Sequence, residues 1–207
     1  MAYIWINPVT ASMYQPEVLD AFLQRYGYQR LETNTDWLTI VRNKYQAVLD
    51  ETEKTVIDVR CPKIQSIVKE RKNKEDFLVP KIPPILIHCG KESGEREDLK
   101  GEDKIITTPC QALADMGNDL KLEHTWFVPW NRFLEMLGAE PEGNLPTDSP
   151  IPPGFFSELG VEVISISGEE EIRNYFIKCK KGDERLVELL YCKEGCHNGD
   201  GIGKCKG

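Results

Sequence analysis

The sequence lacks an excess of basic residues and any long uncharged apolar run, and we expect no secretory leader. Its 207 residues include 26 basic against 34 acidic side chains, a formal net charge of -8. Such a charge argues against phosphate-backbone binding as the main activity, because no counterion-releasing basic face is implied. The N-terminal stretch MAYIWINPVTASMYQ has no basic region followed by an apolar one. We therefore expect a cytoplasmic protein that has no membrane span and does not bind nucleic acid.

Several motifs of common enzyme classes are also missing. No glycine-rich fingerprint opens a helix, so nicotinamide or flavin binding by that route is not indicated. The order of residues reveals no Ser-His-Asp arrangement. The sequence alone therefore identifies no catalytic residues.

What the chain does contain is seven cysteines. In a reducing cytosol they are unlikely to form a disulfide framework, and their odd number points the same way. Metal binding, redox chemistry or burial must account for them.

Short β-branched runs alternate with helical patterns along most of the chain. This alternation predicts an α/β fold with a mainly parallel sheet flanked by helices, and one domain is the preferred organisation. The predicted strands cover residues 3–6, 55–60, 85–88, 104–107, 126–128, 161–165 and 186–191. Apolar residues at helical spacing predict helices over 19–26, 37–48, 64–68 and 172–179. Two surface loops are expected, the charged segment 91–103 and the proline-rich segment 140–154, a connector in preference to a lid.

Four cysteines follow directly after predicted strands: Cys61, Cys89, Cys110 and Cys192. The carboxyl ends of parallel strands share one edge of a sheet, where ligand sites are usually built. Cys61 and Cys110 also precede helical patterns, and Pro62 suits the first helical position. We expect both sulfurs near helix N-termini, where the dipole and free amides favour a thiolate.

Cys192 and Cys196 form a CxxxC pair in a glycine-rich segment. Gly195 and Gly199 are expected to let backbone amides approach sulfur. Four thiolates suit either an iron–sulfur cubane or tetrahedral zinc. Zinc ribbons usually use two CxxC pairs, and only one close pair occurs here. Iron and sulfur are therefore favoured, with zinc as the alternative.

The run LGVEVISISGEEEIRNYFIKCKKGDERLVELLYCKEGCHNGDG resembles the end of the catalytic domain of iron-only (FeFe) hydrogenases. It shares the order strand, helix, strand and a CxxGCxxGxG motif. DVRCPKI and IITTPCQAL resemble the two other ligand motifs of that family, and the similarity extends over roughly residues 55–203. The resemblance implies that one 4Fe–4S cluster is bound by four cysteines: Cys61, Cys110, Cys192 and Cys196. In the family the cysteine that matches Cys196 also bridges to a dinuclear iron unit.

The chain departs from this family in ways that bear on its chemistry. Arg60 stands where the family has its proton-delivering cysteine, and Thr108 replaces a methionine before Pro109. The lysine expected soon after Cys110 and a long glycine- and alanine-rich segment of the dinuclear pocket have no counterpart. The resemblance therefore implies a shortened, divergent relative that keeps the cubane ligands without the hydrogen chemistry. Residues 1–54 form an N-terminal α/β portion and 55–207 a hydrogenase-like portion, in one compact domain or two lobes.

The sequence leaves several roles open for the remaining cysteines and for His197. Cys89 is a buried thiol, a ligand in place of Cys110, or a redox partner, with burial as the default. Cys205 and His197 are alternative ligands, and terminal disorder is the simpler account of Cys205. Cys179 is expected in the core.

These features favour an iron–sulfur protein that transfers electrons or senses redox state in an anaerobic pathway, with a redox protein as partner. One alternative is a metalloenzyme, a hydrogenase-like oxidoreductase whose modified cluster acts on a small molecule. The other is a cluster carrier or assembly module. The oligomeric state is not predicted.

Overall fold

The computed structural model describes residues 2–70, 77–140, 143–178 and 184–202. Cys179 and Cys205 lie outside these residues. The described strands are β1 Ala2–Trp5, β2 Tyr28–Arg30, β3 Thr55–Asp58, β4 Phe77–Leu78, β5 Lys104–Thr108, β6 Thr125–Pro129, β7 Val163–Ser167 and β8 Leu186–Leu190. The described α-helices are α1 Pro8–Ser12, α2 Pro16–Arg25, α3 Trp37–Asp50, α4 Pro62–Lys69, α5 Ile85–Gly94, α6 Gln111–Asn118, α7 Trp130–Leu137 and α8 Glu169–Lys178. Two 3-10 helices cover Glu97–Leu99 and Cys196–Asn198.

The chain divides into two compact units, each built from separate stretches of sequence. Unit 1 comprises Met1–Thr35, Leu86–Pro150 and Cys196–Gly207. Unit 2 comprises Asp36–Ile85 and Ile151–Gly195. Each unit contains one four-stranded sheet in which every observed strand pair is parallel. The predicted α/β class with parallel sheets flanked by helices is therefore confirmed.

The sheet of unit 1 has the strand order β2-β1-β5-β6. Phe127 of β6 is buried, and its ring packs against the backbone of two glycines. A Cβ at Gly117 of α6 would lie 2.2 Å from the Phe127 ring, and one at Gly90 of α5 would lie 2.4 Å from it. The two glycines therefore allow helices of this unit to approach the sheet closely.

The sheet of unit 2 has the strand order β4-β3-β8-β7, and its central strands β3 and β8 are buried on both faces. Ile57 and Val187 pack with α4 and α8 on one face. Val56 and Leu186 pack with α3 and Phe156 on the other. Burial on both faces is usual for parallel strands and explains why these strands read as continuous apolar runs.

Six of the seven predicted strands correspond to observed ones, and the strand predicted over 85–88 is wrong. Those residues begin α5, because a short buried apolar run cannot be assigned to a strand or a helix by its periodicity. The loop predicted over 91–103 is also partly wrong, since it contains the end of α5 and the 3-10 helix Glu97–Leu99. Strands β2 and β4, of three and two residues, were too short to give a pattern. The described part of the proline-rich loop contains neither helix nor strand.

No helix in the described part of the chain is both long enough and apolar enough to span a bilayer.

Gly117→Ala is expected to lower the free energy of unfolding by about 1–3 kcal/mol, because the added methyl group overpacks the Phe127 ring. Chemical denaturation measures this loss. In a Phe127→Leu background the same substitution should cost less, since the obstructing ring is gone. Equal costs in both backgrounds would contradict the packing assigned to Phe127.

Candidate functional site

Cys61 lies at the carboxyl end of β3 and is the N-cap residue of α4, as predicted. Pro62 occupies the start of the helix, and the thiol makes no capping hydrogen bond of its own. Burial raises the pKa of the Cys61 thiol. The nearby backbone N–H groups of Tyr191, Lys63 and Ile64 act in the opposite direction and lower this pKa. The helix N-terminus therefore favours the thiolate as expected, but burial has the larger effect in the metal-free protein.

Cys192 follows β8 in the same unit, and its segment lies next to Cys61. Tyr191, the residue directly before Cys192, packs with Cys61 against the same buried cluster, and its backbone N–H lowers the pKa of the Cys61 thiol. Tyr191 itself is fixed by its hydroxyl, which donates to the Glu169 carboxylate, and by the Lys63 ammonium 5.0 Å from its ring centre. Unit 2 thus brings together the segments of two predicted ligands, Cys61 and Cys192.

Cys110 is the corresponding residue of unit 1, at the carboxyl end of β5 and the N-cap of α6. It is 8% exposed, and its backbone is extended. Its carbonyl accepts a hydrogen bond of 2.9 Å from the Thr108 hydroxyl, which fixes the turn between strand and helix. The predicted position of Cys110 at a helix N-terminus is confirmed.

The segment 196–202 contacts the turn Pro109–Cys110 closely within unit 1. The Gly201 N–H donates to the Pro109 carbonyl at 3.0 Å. A Cβ at Gly199 would lie 2.2 Å from that carbonyl oxygen, and one at Gly201 would lie 2.9 Å from the Cys110 nitrogen. The segments of Cys110 and Cys196 are therefore brought together. Gly199 is needed here for contact with another backbone, which differs from the approach to sulfur expected from the sequence.

The alternative ligands have simpler surroundings. Cys89 lies inside α5 and is 6% exposed, so the expectation that it follows a strand is wrong. Burial raises its pKa from 9.0 to about 11, against an opposing hydrogen bond with the Thr33 side chain. His197 is half-buried, and its Nε2 lies 3.2 Å from the Asn198 amide nitrogen. Cys89 is thus a buried thiol, the default assigned to it.

Among the residues that the structure describes, no three cysteine, histidine, aspartate or glutamate side chains form a group that could hold a metal ion. What the geometry shows is the pairing of ligand segments within each unit. Comparison with protein families and with curated proteins finds no match for this chain. The chemistry of the site is therefore argued from its own residues.

A buried charge network in unit 2 was missed by the sequence reasoning. Asp58 and Glu188 are each 1% exposed and face each other in the register of β3 and β8. The Arg60 guanidinium pairs with both Asp58 oxygens, through Nε at 3.0 Å and Nη2 at 2.9 Å. Its Nη2 also lies 3.7 Å from Glu188 Oε1. One cation thus lies against two carboxylates and reduces their mutual repulsion in a buried sheet.

The same network determines the turn that leads to Cys61. Asp58 accepts a 3.0 Å hydrogen bond from the backbone N–H of Arg60 and a 2.6 Å bond from the Tyr45 hydroxyl. Aromatic rings surround the Arg60 side chain, with centres at 4.3 Å for Phe155 and 4.5 Å for Phe156. A carboxylate inside each of the apolar runs TVIDV and LVELL was the sequence signal for this network, because a buried charge requires a partner.

Arg60→Met is expected to lower the free energy of unfolding of the metal-free protein by about 3–5 kcal/mol, since it leaves two buried carboxylates without their cation. Denaturant unfolding at neutral pH measures the loss. The double variant Arg60→Met/Glu188→Gln should regain part of the lost free energy of unfolding, because it removes one of the two buried charges.

Arg42→Met is the matched control, because Arg42 pairs with the exposed Glu158 and also packs on Phe155. Its cost should be about 1 kcal/mol or less. Similar losses for the two arginine variants would contradict the role given to Arg60.

Cys89 should make stability pH-dependent in alkaline solution. Its folded pKa of about 11 exceeds the ordinary value of 9.0, so between these values the unfolded chain loses a proton that the folded protein keeps. Stability relative to Cys89→Ala should then decrease as the pH rises from 9 towards 11 and be constant below about pH 8. Urea unfolding of both proteins across this range measures the difference. A constant difference up to pH 11 would contradict the raised pKa.

Proposed function

We propose that the protein binds one 4Fe–4S cluster through Cys61, Cys110, Cys192 and Cys196. In this proposal it acts in the cytoplasm in electron transfer or redox sensing, within an anaerobic pathway. The observation that carries the proposal is the pairing of segments: Cys61 with the residue before Cys192, and Cys110 with the segment of Cys196. Cys192 and Cys196 in turn belong to one five-residue stretch.

The local structure of the cysteines supports a ligand role. Cys61 and Cys110 begin helices without using their thiols as caps, and both follow buried parallel strands. Thiolates are favoured at such helix starts, and a metal withdraws the proton of a coordinating thiol. The three backbone N–H groups at Cys61 suit a sulfur that carries negative charge.

A bound cubane would supply one-electron exchange, and the protein's part is to hold the sulfurs and set their surroundings. Hydrogen bonds to ligand sulfur raise the reduction potential of such clusters, so the N–H groups at Cys61 contribute to that tuning. The net charge of -8 favours a redox partner with a basic docking face. Zinc is the competing occupant of four thiolates.

Anaerobically purified or reconstituted protein is expected to be brown and to contain about four irons and four acid-labile sulfides per chain. Elemental and sulfide analysis measures this content. Stoichiometric zinc without sulfide would overturn the iron–sulfur proposal.

Single cysteine-to-alanine substitutions then test the ligand set. Cys61→Ala, Cys110→Ala, Cys192→Ala and Cys196→Ala should each lower the iron content markedly. Cys89→Ala is the matched control for Cys110→Ala, because both cysteines are buried and lie in unit 1. Full iron content in Cys110→Ala together with loss in Cys89→Ala would instead make Cys89 the ligand.

A further inference from the structure

The N-terminus of α6 is capped by a residue far away in the chain. The first N–H groups of a helix have no partner inside the helix and usually bond to the side chain of the N-cap residue. In α1 and α3 this is done by Asn7 and Asp36, which accept from Thr10 and Thr39 at 3.0 Å. The N-cap residue of α6 is Cys110, and it makes no such bond.

Asp200 supplies the missing cap. Its Oδ1 accepts a hydrogen bond of 3.0 Å from the backbone N–H of Gln111, 89 residues earlier in the sequence. A carboxylate at this position is also favoured by the helix dipole. The first N–H group of α6 is thereby paired with Asp200, and the Cys110 side chain makes no capping bond.

The backbone around Asp200 is fixed from the side of α7 as well. Asn131 donates through its N–H to the Gly201 carbonyl at 2.9 Å and through its amide to the Asp200 carbonyl at 3.1 Å. These bonds place Asp200 between the first turns of α6 and α7. The carboxylate is therefore held in a defined position over Gln111.

The connection continues from Asp200 to Cys196. The Gly199 N–H donates to the Cys196 carbonyl at 3.0 Å, which closes the 3-10 turn Cys196–Asn198. Hydrogen bonds made by two consecutive residues, Gly199 and Asp200, thus connect the start of α6, beside Cys110, to the backbone of Cys196.

We infer that Asp200 is a positioning residue that holds the segment of Cys196 against the turn that carries Cys110. The inference rests on the proposed function, since these cysteines are two of the four proposed ligands. Asp200 acts through the backbone of α6. Its removal should loosen one pair of ligands without removing either thiol.

The first test is the rate at which an iron chelator removes the cluster from anaerobic protein, followed by absorbance. Asp200→Ala should lose the cluster about tenfold faster than wild type, the size of effect known for residues that orient metal ligands. Asp200→Asn should lose it at nearly the wild-type rate, because asparagine keeps an oxygen acceptor and is a good N-cap. Asp36→Ala is the matched control, removing an equivalent cap from α3.

Asp36→Ala and Asp200→Ala should lower the melting temperature by similar amounts, while only Asp200→Ala speeds cluster loss. Wild-type kinetics in Asp200→Ala, or equal acceleration in Asp36→Ala, would reduce Asp200 to an ordinary helix cap and overturn the inference.

A second measurement does not depend on the cluster. A short bifunctional thiol reagent is applied to the metal-free protein, and peptides that join Cys110 to Cys196 are quantified by mass spectrometry. Asp200→Ala should give severalfold fewer of these cross-links than wild type and Asp200→Asn, and an unchanged yield would overturn the inference. If wild type binds no iron, the proposed function fails, but the cross-linking result still decides the role of Asp200.

Discussion

The parallel direction of the strands is the constraint on which the arrangement of polar groups depends. A parallel strand must be followed by a crossover, so the carboxyl ends of the strands in a sheet share one edge and the helices start there. Strand β3 leads into α4 and β5 into α6 within a few residues. Because the faces of such a sheet are covered by helices, groups that need charge or a ligand are placed at its edges. Cys61 and Cys110 each occupy this position at the start of a helix.

The Asp58–Arg60–Glu188 network shows what is required when charged side chains are buried near the carboxyl ends of parallel strands. Two carboxylates opposite each other would be unfavourable in a buried sheet, and Arg60, 12% exposed, is their shared counterion. Buried ion pairs often add little net stability, because desolvation offsets the attraction. Glu188 also accepts from the backbone N–H groups of Gly154 and Phe155, at 2.5 and 3.1 Å. The network therefore specifies how the chain returns from the proline-rich loop to the sheet, a role that apolar replacements could not fill.

The sequence predicted those parts of the fold that depend on local patterns. Strands β3, β5 and β8 were found because their apolar runs are bounded by turns, and Pro62 marked the start of α4. The assignment failed at residues 85–88, where helix and strand have the same apolar signature. The division into interleaved units, the Arg60 network and the Asp200 cap all depend on partners distant in sequence, which local patterns do not encode. The positions of Cys61, Cys110 and Cys192 were accessible because strand ends are local, whereas Cys89 was misplaced with the strand at 85–88 and the proximity of the segments required the structure.

The glycines of the C-terminal motif are required by close packing of backbones. The sequence had instead predicted that Gly199 lets backbone amides approach sulfur. Gly199 and Gly201 are required because the Pro109–Cys110 backbone leaves no room for a side chain at either position. Close contact between backbones, together with the Asp200 cap, fixes the segment of Cys196 in the metal-free protein. Metal binding usually has to order the protein segments that carry the ligands, and this ordering costs conformational entropy. The cost is smaller when the segments are already in place. Within each unit folding brings two of these segments together, Cys61 with Cys192 and Cys110 with Cys196, so in the proposed function that part of the ordering precedes cluster binding.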